Sequence, residues 1–165
     1  MVEAIETFLS ENLPRELCVI VCSMLPIIEL RGGIPLATSL GLPWWQSFLF
    51  AVLGNMIPVP FILIFIRAVL EFMKKFKGLR SIALWLEKKA DKHRDKVEKY
   101  SFWGLFALVA IPLPGTGAWT GSLVAAMIRM KFPKALLSVF LGVVAAGTVV
   151  TLISYGVLGF LSFLI

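Results

Sequence analysis

Residues 26–35 read Pro26-Ile-Ile-Glu29-Leu-Arg31-Gly32-Gly33-Ile-Pro35. The run holds two prolines, two adjacent glycines, and an acid and a base two positions apart. Uncharged sequence flanks it, Leu17–Ile28 on one side and Gly32–Ile66 on the other. Proline removes a helix hydrogen bond and glycine weakens a helix interior, so the run predicts a turn rather than a continuous helix. The 12 residues of Leu17–Ile28 are too few to cross a membrane. A spanning helix needs about 20 residues for a hydrocarbon core of about 30 Å. A second short segment, Leu36–Leu42, follows and meets Pro43-Trp44-Trp45, a pair of aromatics suited to the membrane interface. The expected geometry is a re-entrant hairpin over residues 15–42, entering the membrane, turning at Glu29 and Arg31, and leaving on the same side.

The solvent assumed in that reading follows from the rest of the chain. Of 165 residues, 59% are apolar and 16% are charged, against roughly 45–50% and 25% in soluble domains. All charges lie within residues 1–16, 29–31, 67–99 and 129–134. Three of the four uncharged stretches, 32–66, 100–128 and 135–165, exceed the ~18 residues that mark a candidate span. A water-soluble enzyme is excluded.

Moving outward, residues 43–69 form a transmembrane helix, interrupted by Asn55, Pro58 and Pro60. The second half then repeats the plan. Ser101–Ile111 is a short apolar segment broken by Pro112-Leu-Pro114-Gly115-Thr116-Gly117, and Ala118–Ile128 returns, giving a second hairpin over residues 100–131. A final transmembrane helix occupies residues 132–165. Each span follows a proline (Pro43, Pro133) and carries a glycine about ten residues on (Gly54, Gly142).

Charge sets the orientation. Residues 67–99 carry 11 Lys/Arg against 5 acids, and basic loops of this length stay on the cytoplasmic side. The first hairpin then opens outward and the second inward, with both termini outside a prokaryotic inner membrane. The fold expected is an all-α integral membrane protein, a single domain of two oppositely oriented re-entrant hairpins each followed by a transmembrane helix. Inverted repeats with broken helices at the midplane are the plan of secondary transporters. Four plain spans, with Glu29 and Arg31 in a surface loop, fit less well because Leu17–Ile28 is short.

Two amphipathic segments complete the plan. Val2, Ile5, Phe8, Leu9 and Leu13 recur at helical spacing, predicting an interfacial helix over residues 1–14. Residues 70–99 predict a basic cytoplasmic segment, with Lys74, Lys75 and Lys77 for anionic headgroups and a helix through Ile82, Leu86, Ala90, His93 and Val97. The positive charge is thus topology and lipid contact; no nucleic-acid partner is expected. Cys18 and Cys22 share a helix face, and with no His or carboxylate beside them no metal site or cofactor is expected.

Ionisable residues inside a membrane are functional candidates by default, and only Glu29 and Arg31 qualify. Arg31 is expected to hold an anionic group, with Glu29 as a proton-coupling carboxylate and Gly32 and Gly33 freeing the backbone. The alternative is an ion pair that locks the hairpin tip. Opposite them, Pro112, Pro114, Gly115 and Gly117 open the backbone, Thr116 and Thr120 add hydroxyls, and the half-helix from Gly117 points its amides into the midplane. Gly117-Ala-Trp-Thr-Gly121 also allows close helix packing. Asn55 either lines the cavity or satisfies a carbonyl freed by Pro58. No nucleophile–base pair is present, so a transporter is expected rather than an enzyme.

At the two tips the residues resemble a known family. Glu29-Leu-Arg-Gly-Gly-Ile-Pro-Leu-Ala37 and Pro112-Leu-Pro-Gly-Thr-Gly-Ala-Trp-Thr-Gly121 look like the signature segments of the small multidrug export proteins. That family is similar in plan to the DedA superfamily, and Ala126-Met-Ile-Arg129-Met-Lys-Phe132 resembles the DedA segment after its second hairpin. The resemblance implies proton-linked transport of an amphipathic or anionic molecule, or of a lipid carrier such as undecaprenyl phosphate, with Glu29 as the acidic residue. The chain departs from the DedA pattern at Ala110, where an essential arginine would stand. Membrane lipids and a second copy of the chain are the expected partners. A non-coupled lipid scramblase or membrane-organising protein is the rival expectation.

Overall fold

The computed structural model describes residues 2–73, 94–111 and 116–164. Among these every regular element is a helix. The helices are α1 (Val2–Asn12), α2 (Arg15–Met24), α3 (Glu29–Ser39), α4 (Trp44–Met56), α5 (Pro58–Met73), α6 (Arg94–Ala110), α7 (Ala118–Met127) and α8 (Phe132–Leu164).

α1 stops just before Pro14, as its apolar spacing suggests. The first turn of the chain falls at Leu25–Ile28, around Pro26. This corrects one expectation, because Glu29 and Arg31 lie in the first turn of α3 and not on a broken turn. The helix also continues through Gly32, Gly33 and Pro35. Pro35 offers no N–H to the Arg31 carbonyl, yet the element is only 11 residues long and is clamped by neighbours. Gly33 presses on Ser23 of α2, where a Cβ would collide with the hydroxyl.

The first span also differs from one smooth helix over 43–69. α4 ends at Met56, Ile57 bridges, and α5 starts at Pro58, because Pro58 and Pro60 withhold the N–H groups that would continue the ladder. Trp44–Phe65 nonetheless forms a 22-residue apolar unit long enough to cross a membrane, as does the 25-residue Phe132–Gly156. α6 runs unbroken from Arg94 into the apolar Ser101–Ala110. The basic approach and the expected helix as far as His93 lie outside the described residues, while its end at Val97 falls in the first turn of α6.

Packing repeats between the halves. In the first, α4 lies along α2, and in the second, α8 lies along α6. Each contact is made at the glycine noted in the sequence. A Cβ on Gly54 would strike the Ile20 backbone, and one on Gly142 would stand 2.7 Å from Val109 Cβ and 3.1 Å from the Phe106 carbonyl. The returning helices then cross over: α3 packs on α8, and α7 on α5. One continuous core results, with Val19, Ile34, Leu63, Val109 and Val143 buried.

Two polar clamps tie the last helix down. Ser138 donates to the Phe102 carbonyl at 2.6 Å, and the Tyr155 hydroxyl donates to the Leu42 carbonyl at 2.6 Å while also contacting Ser47. The outward faces are apolar. Phe61, Phe65, Leu152 and Ile153 are each more than half exposed, a surface that water would not tolerate and lipid would.

Candidate functional site

The start of α3 and the start of α7 meet, which places the acid and base of the first half against the glycine-rich break of the second. Glu29 opens α3 with φ 51° and is only 7% exposed. A side chain held in this left-handed region costs about 1–3 kcal/mol, and such residues cluster at functional sites.

What holds Glu29 there is the other half of the protein. Its carboxylate lies on Gly117, where a Cβ would fall within 2.6 Å of both Oε1 and the carboxyl carbon. The backbone N–H of Trp119 donates to the carboxylate. Gly117 is the N-cap of α7 and has no side chain to satisfy the first amides. Glu29 therefore caps α7 from outside, with its negative charge at the positive end of that helix.

Arg31 reaches the same junction from one turn along. Its Nη2 donates to Thr116 Oγ1 at 3.1 Å and to the Ile111 carbonyl at 3.3 Å. Thr116 Oγ1 in turn donates to that carbonyl at 3.0 Å. The guanidinium and the Glu29 carboxylate also attract one another. The pair is thereby neutral overall, which lowers the cost of burying it without removing that cost.

Trp119 closes the junction from the opposite direction. Its indole N–H donates to the Met24 carbonyl at 3.0 Å. The two tips are thus linked reciprocally: Arg31 of α3 bonds a carbonyl at the end of α6, and Trp119 of α7 bonds one at the end of α2. The Trp119 side chain also lines a wholly apolar groove of about 430 Å³ with Phe61, Ile62, Ile64 and Phe65 of α5. The sequence pointed to neither role. The available signal was a ring with a single polar N–H, two residues after a capping glycine.

Of the residues singled out in the sequence, the structure brings Glu29, Arg31, Thr116 and Gly117 together. Gly32 is half-buried against Ile28, with Glu6 of α1 nearby, and Gly33 sits against Ser23, so both glycines serve helix packing at this junction. Thr120 is half-buried on the first turn of α7. Asn55 is 1% exposed in α4, and neither of its polar atoms bonds to the junction or to any other described group. Pro112, Pro114 and Gly115 lie outside the described residues. Cys18 and Cys22 are free thiols buried in α2.

Described residues that are all helical or turn, two membrane-length helices, an apolar exterior, and a buried acid beside a half-buried base between helix tips define a small membrane protein. Residues 29–149 match the family described as putative small multi-drug export protein, and the chain belongs to that family. The match begins at Glu29 itself and takes in both tips. No curated protein and no solved structure matches the chain.

Proposed function

We propose that the protein is a small secondary transporter. In this reading it moves an anionic or amphipathic small molecule through a midplane site between two re-entrant hairpins, α2–α3 and α6–α7. Arg31 is the anchor for the anionic group, and Glu29 is the carboxylate that couples movement to protons. The observation carrying the proposal is the seating of Glu29 and Arg31, the only charges between residues 17 and 66, on the first residues of the opposite half's helix α7.

The repeated packing supports the inverted arrangement. In both halves a span glycine meets the first arm of its own hairpin, the second arm crosses to the other half, and its tip bonds a carbonyl there. Such reciprocity is what two oppositely oriented copies of one unit would produce. The family membership supports export as the physiological role, and the buried carboxylate supports protons as the coupling ion.

The test is reconstitution in liposomes with an imposed pH gradient and dansylglycine, a fluorescent anionic amphipath, as the probe. The wild type moves the probe faster than protein-free liposomes, and Glu29→Gln and Arg31→Ala abolish that excess while folding and inserting normally. Full activity in both variants overturns the site. Movement that ignores the gradient and survives Glu29→Gln would instead identify a lipid-scrambling protein.

A further inference from the structure

Glu29 occupies a place built for an anion. Its carboxylate lies on a glycine, accepts an amide from the first turn of α7, faces the α7 dipole, and sits beside a guanidinium. Nothing in that arrangement is specific to a side-chain carboxylate. Any carboxylate of the same shape meets the same amide, the same bare Cα and the same Arg31. Only one can be there at a time.

The position of Glu29 is also one from which it can leave. Its backbone is held at φ 51°, so releasing the carboxylate allows the first residue of α3 to relax. Protonation supplies the release, because a neutral carboxyl loses both the dipole attraction and the pull of Arg31. Arg31 does not leave with it, because Thr116 and the Ile111 carbonyl hold the guanidinium independently.

A second observation indicates what arrives. Trp119, whose amide binds the carboxylate, also lines the apolar groove with Phe61, Ile62 and Phe65. A groove of about 430 Å³ with no polar lining has the size of a small-ligand site. It opens on the lipid-facing side of α5, where Phe61, Ile64 and Phe65 are exposed, so an apolar body enters it from the bilayer and a second charge is rejected. One residue therefore joins an anion seat to an apolar one.

We infer that the transported molecule is an apolar monocarboxylate whose carboxylate replaces that of Glu29 on Gly117 and Trp119, with its apolar body against Trp119 and α5. This inference rests on the transporter reading above and narrows it. The proton balance is fixed: one proton from water goes onto Glu29 for each monoanion bound, and it leaves when the anion leaves. Proton and anion thus travel together. Their movement is electrically neutral, driven by the two concentration gradients and not by voltage.

The groups bearing on this titration among the described residues are few. Arg31 lies on the same helix, and Glu6 of α1 approaches Gly32. From α2 come the buried Cys18 and Cys22, with Arg15 and Glu16 exposed at its far end. Neither α7 nor α4 carries a titratable residue. Of those on α8, Lys134 is exposed at its start and Tyr155 is engaged with Leu42.

The experiment is calorimetric titration of 1-naphthoate into the protein in lipid nanodiscs at pH 5.5 and 7.5. Each pH is measured in two buffers of different ionisation enthalpy, so that proton uptake is counted directly. At pH 7.5 the wild type takes up about one proton per naphthoate, and it binds more tightly at pH 5.5. Glu29→Ala empties the seat, so that variant binds at least tenfold more tightly than the wild type at pH 7.5, with no proton uptake and no pH dependence. Glu29→Gln, which keeps the shape, also binds without proton uptake and serves if the alanine variant does not fold. Arg31→Ala loses binding at both pH values.

Weaker binding in Glu29→Ala, or an unchanged proton count in Glu29→Gln, overturns the exchange while leaving Arg31 as an anion anchor. Undiminished binding in Arg31→Ala overturns the transporter site as well. A wild type that binds no naphthoate at pH 5.5 overturns the carboxylate assignment.

Discussion

Arg31 and Thr116 stand 85 positions apart in the chain and share a hydrogen bond of 3.1 Å. Thr116 also bonds the Ile111 carbonyl that accepts from Arg31, so hydroxyl, guanidinium and carbonyl form a closed triangle. Hydrogen bonds to charged groups are worth about 1.5–3 kcal/mol. Thr116→Val keeps the shape and removes the hydroxyl. The expected result is a drop of about tenfold or more in dansylglycine flux, with Thr116→Ser close to the wild type. Equal flux in Val and Ser variants would show that the hydroxyl does not position Arg31.

Gly117 has no room for a methyl group, because the Glu29 carboxylate fills that space. Gly104, on α6, has nothing within 4 Å of an added Cβ. Gly117→Ala therefore displaces the cap of α7 and costs about 1–3 kcal/mol. Gly104→Ala gains about 0.5–1 kcal/mol from helix propensity. Thermal unfolding in detergent should move in opposite directions for the two variants.

The span glycines differ in what they touch, and so in what they tolerate. At Gly54 the obstacle is Ile20 backbone, which cannot swing aside; at Gly142 it is mainly the Val109 side chain. Overpacking typically costs about 1–3 kcal/mol. Gly54→Ala should fall at or beyond the top of that range and Gly142→Ala within it. Yield of folded protein on size exclusion, and its melting temperature, rank the two directly.

Trp119 separates two contributions by substitution. Trp119→Phe keeps an aromatic ring in the groove and loses the N–H bonded to Met24. It should lower stability by about 1 kcal/mol, the net value of one hydrogen bond. Trp119→Ala forfeits the ring as well and should cost about 3 kcal/mol or more. Comparable melting temperatures for Phe and Ala would remove the ring from the account.

How much of this was legible beforehand depends on the kind of signal. Pro26 lies in an uncharged stretch too short to span, the run from Pro112 to Gly117 divides a longer one, and the helices do stop at both. Glu29, Arg31 and Thr116 stood out because buried charge and backbone breaks are rare in lipid-facing sequence. Their mutual distance was not legible, because it is set by the crossing of α3 to α8 and α7 to α5. The helical state of Glu29–Pro35 was hidden for a related reason. Local propensity argues against a helix through Gly32, Gly33 and Pro35, and packing on α2 overrides it. Asn55 showed the reverse case. Its polarity suggested a site, yet no described group bonds to it.

The reciprocal bonds between the tips also fix an energy scale. Arg31 to the Ile111 carbonyl, a bond from a charged donor, contributes about 1.5–3 kcal/mol, and Trp119 to the Met24 carbonyl about 1 kcal/mol. A tenfold concentration gradient of one solute releases about 1.4 kcal/mol. The seal between the halves is therefore comparable with what a tenfold gradient of the proton and a tenfold gradient of the anion release together, about 2.8 kcal/mol. A barrier of that depth holds at rest and yields to a cell's ordinary supply of energy.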